Sequence, residues 1–138
     1  MPQTITPYLL YEDVATMLDW LSRAFGFEER LRYADDSGNV THAEMAFGDG
    51  TFYLGDPGDD YRSPKSTGAW PAQVSVYVDD VDAHYERALA AGAVIRQEPQ
   101  DQPYGDRRYD AYDPEGQLWS FATRVRDLAP SEWGAQEA

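Results

Sequence analysis

The sequence predicts an α+β fold made of two β-α-β-β-β modules, and three observations predict it. Landmark residues repeat at a nearly constant offset: Asp13 and Asp80 are 67 positions apart, Gly26 and Gly92 are 66 apart, and Gly50 and Gly116 are 66 apart. An offset held across a helix cap, a helix stop and a hairpin turn is the mark of an internal duplication. Gln73-Val74-Ser75-Val76-Tyr77-Val78 alternates polar and apolar residues as a half-buried strand does, then runs into a helical pattern opened by Asp79-Asp80. Leu9-Leu10-Tyr11-Glu12-Asp13-Val14 repeats that design earlier in the chain.

Each element has its own signal. Ile5 to Tyr11 reads as a first strand, and Asp13 caps a helix from Val14 to about Phe25, in which Val14, Leu18, Leu21, Ala24 and Phe25 recur at helical spacing. Gly26 ends that helix. Strands follow over Phe27 to Tyr33, Val40 to Phe47 and Thr51 to Leu54, separated by the turns Asp35-Asp36-Ser37-Gly38-Asn39 and Gly48-Asp49-Gly50. Gly55 to Gly68, with Pro57 and Pro64, reads as a long irregular segment, either a linker or a mobile loop over a site.

The second half reuses the order. A helix from Val81 to Ala91 is capped by Asp80 or Asp82, then come a strand from about Ala93 to Gln97, a polar loop Glu98 to Gly105, a strand Arg107 to Tyr112, the turn Asp113-Pro114-Glu115-Gly116 and a last strand Gln117 to Thr123. Leu128, Pro130 and Trp133 mark a short packed segment in the tail. One domain is expected over 1–138: a first module at about 4–56, a linker at 57–70, a second module at about 71–124 and a tail at 125–138.

Bulk composition narrows the function classes. Of 138 residues, 42% are hydrophobic and 14% aromatic, which are globular values. The net charge of −14 argues against nucleic-acid binding, where phosphate contacts demand clustered Lys and Arg. An acidic surface aids solubility and favours a cationic ligand. The chain has no cysteine, so disulfides, thiolate metal sites and a Cys nucleophile are excluded. Met1-Pro2-Gln3-Thr4 is not a basic region followed by an apolar run, and no window approaches the ~18 apolar residues of a membrane span. A cytoplasmic protein with no membrane partner is expected.

With these features the chain resembles the vicinal oxygen chelate superfamily, which includes glyoxalase I, extradiol dioxygenases and the bleomycin- and fosfomycin-resistance proteins. The resemblance rests on the paired module order, on Tyr8-Leu9-Leu10-Tyr11-Glu12-Asp13 and Ala24-Phe25-Gly26-Phe27 at the ends of the first helix, on Val76-Tyr77-Val78-Asp79-Asp80-Val81, and on Asp113-Pro114-Glu115-Gly116. Pro103-Tyr104-Gly105-Asp106-Arg107 is similar to the glyoxalase-like branch compared with PhnB. The resemblance implies sheets that curve round a shared cavity and chains that pair as homodimers. It also implies four metal-ligand positions, in the first and last strand of each half.

Counted from the shared landmarks, those positions are Thr6, Leu54, Gln73 and Ser120. One amide, two hydroxyls and a hydrocarbon are a poor set for a divalent ion, which needs several converging His, Asp or Glu ligands. No metal and no other cofactor is therefore expected.

Alternation then selects the side chains that share a face with those four positions: Tyr8 with Thr6, Ser75 and Tyr77 with Gln73, Phe52 with Leu54. If the hairpin pairs Phe47 with Thr51, Glu44 sits opposite Leu54 with His42 on the same face, and Ala43, Met45 and Phe47 form the outer, helix-packed face. The analogous pairing brings Arg108, Asp110 and Tyr112 to Ser120. Tyr104 sits on a glycine-hinged loop that reads as a rim. This wall is aromatic with a few directing polar groups, the composition of a small-molecule pocket.

The expectation is metal-independent binding of a small organic molecule, cationic and aromatic, as in the drug-sequestering resistance proteins, in preference to catalysis. The competing reading is an enzyme: a metal-free lyase or isomerase with Glu44, His42 or Asp110 as base, or a metal enzyme with relocated ligands. His84, in the second helix, reads as a surface residue.

Overall fold

The computed structural model describes residues 3–138; Met1 and Pro2, where the leader expectation begins, lie outside the described residues. Strand β1 (Tyr8–Leu10) leads through Asp13 into α1 (Val14–Phe25), followed by β2 (Glu28–Ala34), β3 (Val40–Phe47) and β4 (Gly50–Gly55). A short α2 (Pro64–Thr67) bridges to β5 (Gln73–Tyr77), α3 (Val81–Ala90), β6 (Val94–Asp101), β7 (Asp106–Tyr112) and β8 (Leu118–Arg124), and the tail carries a 3-10 turn (Pro130–Trp133). The strands form two four-stranded mixed sheets with the orders β1-β4-β3-β2 and β5-β8-β7-β6. Among the described residues no helix is long and apolar enough to cross a membrane.

The helix boundaries follow their caps. The Asp13 carboxylate accepts from the Thr16 N–H at 3.1 Å and from the Thr16 hydroxyl at 2.7 Å, and Gly26 closes α1 at φ 80°. Asp80, rather than Asp82, caps α3 by accepting from the Ala83 N–H. Two strands differ most in length from expectation. β1 starts only at Tyr8, and β6 continues to Asp101 through residues expected to be loop.

The segment between the modules is pinned. The Glu12 carboxylate accepts from the Ser63 N–H at 3.0 Å and the Ser66 hydroxyl at 2.8 Å, and these bonds hold its pKa down to about 2. Lys65 donates its N–H to the Glu115 carbonyl at 3.0 Å. Gly116 lies so close beneath that a Cβ there would sit 2.6 Å from the Lys65 nitrogen.

One face of each sheet is covered by the helices, and the two modules meet through these covered faces. Phe25 is the hub: its ring centroid lies 5.0 Å from Trp20, 5.8 Å from Phe27, 5.7 Å from Trp119 and 4.7 Å from Phe121. Phe52 joins through Phe27 at 5.1 Å and Trp119 at 5.3 Å. Aromatic contacts of this kind add ~0.5–1.5 kcal/mol per pair beyond area burial.

Polar bonds stitch the same seam. Trp20 donates its indole N–H to the Ala91 carbonyl at 2.9 Å, and the Arg87 guanidinium donates to the Arg23 and Ser22 carbonyls at the end of α1. His84 is not a surface residue. Its Nε2 lies 2.8 Å from the Phe25 carbonyl and its Nδ1 2.6 Å from the Tyr109 hydroxyl, and burial pushes its pKa down. A carbonyl can only accept, so Nε2 carries the proton and Tyr109 donates to Nδ1.

Asp113 is the buried polar node of the seam. Its carboxylate accepts from the Tyr11 hydroxyl at 2.7 Å and from the Trp119 indole at 3.1 Å, joining the modules, while the Glu115 and Gln117 N–H groups shape the β7–β8 turn. Burial raises the Asp113 pKa in spite of these four donors. Tyr11→Phe leaves the ring packed and removes one donor to a buried carboxylate. It is expected to lower unfolding free energy by ~1–3 kcal/mol, read as a lower urea midpoint with unchanged slope.

Candidate functional site

Because the helix-packed faces meet at the seam, the opposite faces of both sheets are open in the single chain. Tyr8 (52% exposed), Leu10, Leu31, Tyr33 and Tyr77 are uncovered large side chains on these open faces. The shared cavity implied by the resemblance is therefore not closed within one chain.

Register decides which expected residues reach the open faces. The turn at Gly48-Asp49 has two residues, with Gly48 at φ 57°, so Phe47 pairs with Gly50 rather than Thr51. Slipping a strand by one residue exchanges its faces. Glu44 consequently lies opposite Tyr53 and His42 opposite Gly55, while Phe52 and Leu54 turn into the core, Leu54 completely buried. Placing Phe52 and Leu54 on the ligand face is corrected by this register, and Tyr53 takes the place expected of Leu54. Thr6 lies ahead of β1 and outside either sheet.

On the first sheet the open face gathers Tyr8, His42, Glu44 and Tyr53. The Tyr8 hydroxyl lies 2.8 Å from His42 Nδ1, and His42 Nε2 lies 3.4 Å from Glu44 Oε2. Tyr53 packs edge-on against both rings, 5.5 Å from Tyr8 and 5.4 Å from His42.

On the second sheet the pairing Ser75↔Ser120↔Asp110 holds, and Gln73, Arg108, Tyr112 and Tyr77 fall on the same face by alternation. Arg108 is the centre of a polar floor: it donates to Ser120 Oγ at 2.7 Å, Ser75 Oγ at 3.0 Å and Asp106 Oδ2 at 3.1 Å. Tyr77 and Arg124 also donate to Asp106. Burial alone would raise the Asp106 pKa, but the bonds from Tyr77, Arg124 and Arg108 win and lower it. Asp110 pairs with Arg96, whose guanidinium also lies over the Trp70 ring. Arg108 Nε and Asp110 Oδ1 are buried without a hydrogen-bond partner among the described residues, a spare donor and a spare acceptor in one floor.

Two pockets flank these faces. One of about 590 Å³ lies along the seam, where β5 residues including Ser75 and Tyr77 meet Phe52, Phe47 and Trp119. The other, about 530 Å³, is walled by the pinned segment Pro64 to Pro71, with Trp70, Val94 and Tyr112. Tyr104 joins neither; its ring packs against Trp133 of the tail. Tyr53, Arg96, Asp106, Arg124 and Trp70 also line these faces and the second pocket, and the residue pattern does not single them out. A two-residue reading of the Gly48-Asp49 turn would have found Tyr53.

The family's metal does not fit these residues. Leu54 is in the core, Thr6 is off the sheets, and Ser120 lies directly under the Arg108 guanidinium, whose charge repels a cation. No group of three or more His, Cys, Asp or Glu converges among the described residues.

Asp106→Asn removes the anion that holds Arg108 and Arg124, and an expected loss of ~1–3 kcal/mol follows from leaving the largely buried Arg108 guanidinium underpaired, the exposed Arg124 adding little. The Asp106 contribution is complete above its unfolded-state pKa near 3.8 and is lost as pH falls through the lower folded value. Urea midpoints of wild type and variant should therefore converge on acidification below about pH 4.

The comparisons agree with this architecture. The model of the glyoxalase/bleomycin resistance protein/dioxygenase superfamily matches residues 4–121. A Mycobacterium tuberculosis H37Rv protein described as uncharacterized is 33% identical over 133 residues, 93% of this chain and 78% of that protein. The crystal structure of TioX from Micromonospora sp. ML1 superposes with a TM-score of 0.74 at 38% identity, covering 90% of this chain and 100% of that one. A superfamily protein from Nocardioides shares the fold at 19% identity and a TM-score of 0.66, covering 100% of this chain and 91% of that one. With two β-α-β-β-β modules and a family match over residues 4–121, this chain belongs to the glyoxalase/bleomycin resistance protein/dioxygenase superfamily.

Proposed function

We propose that the protein binds a small, flat organic molecule on its open sheet faces without a metal, as the bleomycin-resistance branch of its superfamily name suggests. The observation that carries this reading is the character of those faces. Exposed aromatic rings at Tyr8 and Tyr33, with the half-buried Tyr53 ring beside Tyr8, supply flat area on one sheet, and an Arg108-centred floor supplies direction on the other. The spare donor on Arg108 and spare acceptor on Asp110 are covered, so a ligand reaches them by displacing a neighbouring side chain. The net charge of −14 favours a cationic ligand, with Glu44 a carboxylate beside the aromatic cluster.

A second reading, a metal-free lyase or isomerase, is favoured by the His42–Glu44 contact at 3.4 Å. Asp110 suits that role less, being held by Arg96 at 3.1 Å.

A panel of cationic aromatic compounds is expected to raise the thermal midpoint and quench tryptophan fluorescence in a saturable way, unchanged by EDTA. Absence of both effects across the panel contradicts the reading, as does zinc, nickel, iron or manganese retained at one per chain after dialysis.

Homodimer formation belongs to the same proposal, because a second copy would cover Leu10, Leu31 and Tyr33 and close the faces left open in one chain. Sedimentation equilibrium is expected to give about twice the 15.6 kDa chain mass. A mass of one chain at micromolar concentration removes this part of the proposal.

A further inference from the structure

The Tyr8 ring is held in a built position. β1 runs parallel to β4, and Leu10 rather than Tyr8 is in register with Gly55, yet the Tyr8 ring leans along the face to lie over Gly55. A Cβ at Gly55 would stand 2.5 Å from Tyr8 Cε1 and 3.0 Å from its hydroxyl, so glycine is what admits the ring. In that position the hydroxyl reaches His42 Nδ1, and Tyr53 packs on both rings from the side.

The chemistry of the three groups has a direction. An ionised Glu44 can only accept, so it favours the His42 tautomer with its proton on Nε2. Nδ1 is then bare and accepts from Tyr8. The Tyr8 proton points into the protein, and the remaining lone pairs on Oη face an exposed sheet surface. This is the arrangement of an activated group, a base and an orienting carboxylate.

We propose that Tyr8, His42 and Glu44 form a metal-free proton relay whose reactive atom is Tyr8 Oη, acting on weakly acidic hydroxyl compounds of the phenol or enol class. The ligand O–H gives its proton to Tyr8 Oη as the Tyr8 proton passes to His42 Nδ1. The ligand is left as a phenolate or enolate, and the imidazolium is balanced by Glu44. Tyr8 touches the ligand; His42 and Glu44 are positioning residues. The neighbouring Tyr53 and Tyr33 rings favour a flat partner. The relay goes beyond the binding reading and does not depend on the cationic class assigned there.

Benzenesulfonyl fluoride tests the relay without a known ligand. In its reaction the Tyr8 Oη–S bond forms, the S–F bond breaks, fluoride leaves and the proton goes to His42. Exposure alone ranks Tyr33, at 62%, ahead of Tyr8, at 52%. The relay instead makes Tyr8 the faster by at least about tenfold, below the usual contribution of a positioned base. His42→Gln keeps an acceptor but cannot take the proton, and is expected to abolish the preference; Glu44→Gln reduces it. The Tyr33 rate in each variant is the internal control for folding. Equal rates for the two tyrosines in wild type, or a preference unchanged in His42→Gln, overturn the relay. 4-Nitrophenol then tests the ligand class: it should show the phenolate absorbance when bound to wild type at a pH where the free compound is protonated, and not with His42→Gln. No shift at millimolar concentration overturns the phenol and enol assignment.

Discussion

The aromatic seam between the modules is the constraint on which the rest of the structure depends. Phe25 closes α1 and meets Trp119 and Phe121 of β8, so the helix-packed faces of the two sheets are joined back to back through one core. A sheet face used for the core cannot also line a binding site. The seam therefore sends the other face of each sheet to solvent and determines which residues are free to meet a ligand. Asp113 secures the arrangement where packing alone would allow sliding, since its one carboxylate is bonded from both modules. Its raised pKa shows that this fixed geometry carries a desolvation cost.

The two open faces have diverged chemically although they descend from one pattern. The first is aromatic, with a Tyr–His–Glu line across it. The second is a polar floor, in which Arg108 binds two hydroxyls and a buried carboxylate while its Nε and Asp110 Oδ1 stay unpaired among the described residues. Arg108 donates to Ser120, one of the four positions where the resemblance implies a metal ligand.

Much of the fold was legible in the residues because local signals and the duplication agreed with each other. Asp13, Gly26 and Asp80 mark helix ends by caps whose physics is local. The register was legible in the second module, where the β7–β8 turn places Asp110 opposite Ser120 as expected. In the first module it is off by one residue, because the count from Gly50 selects Leu54 and a three-residue turn sets Glu44 opposite it, whereas Gly48-Asp49 makes a two-residue turn that sets Glu44 opposite Tyr53. That single slip exchanged Leu54 for Tyr53. His84 was misread for a different reason: its partners, Phe25 and Tyr109, are far away in sequence, and no periodicity within α3 announces a seam. Trp70 was hidden in a segment that composition marks as loop but that Glu12 and Lys65 pin in place.

A crystal structure of the protein with a bound aromatic ligand tests the central claim most directly. The account predicts the ligand on an open sheet face, with its ring against Tyr8 or Tyr53 or its polar group toward Arg108, and with no ion between Ser120 and Gln73. A coordinated cation at Ser120 and Gln73, or a ligand lodged at the Phe25 seam with both open faces bare, would contradict it.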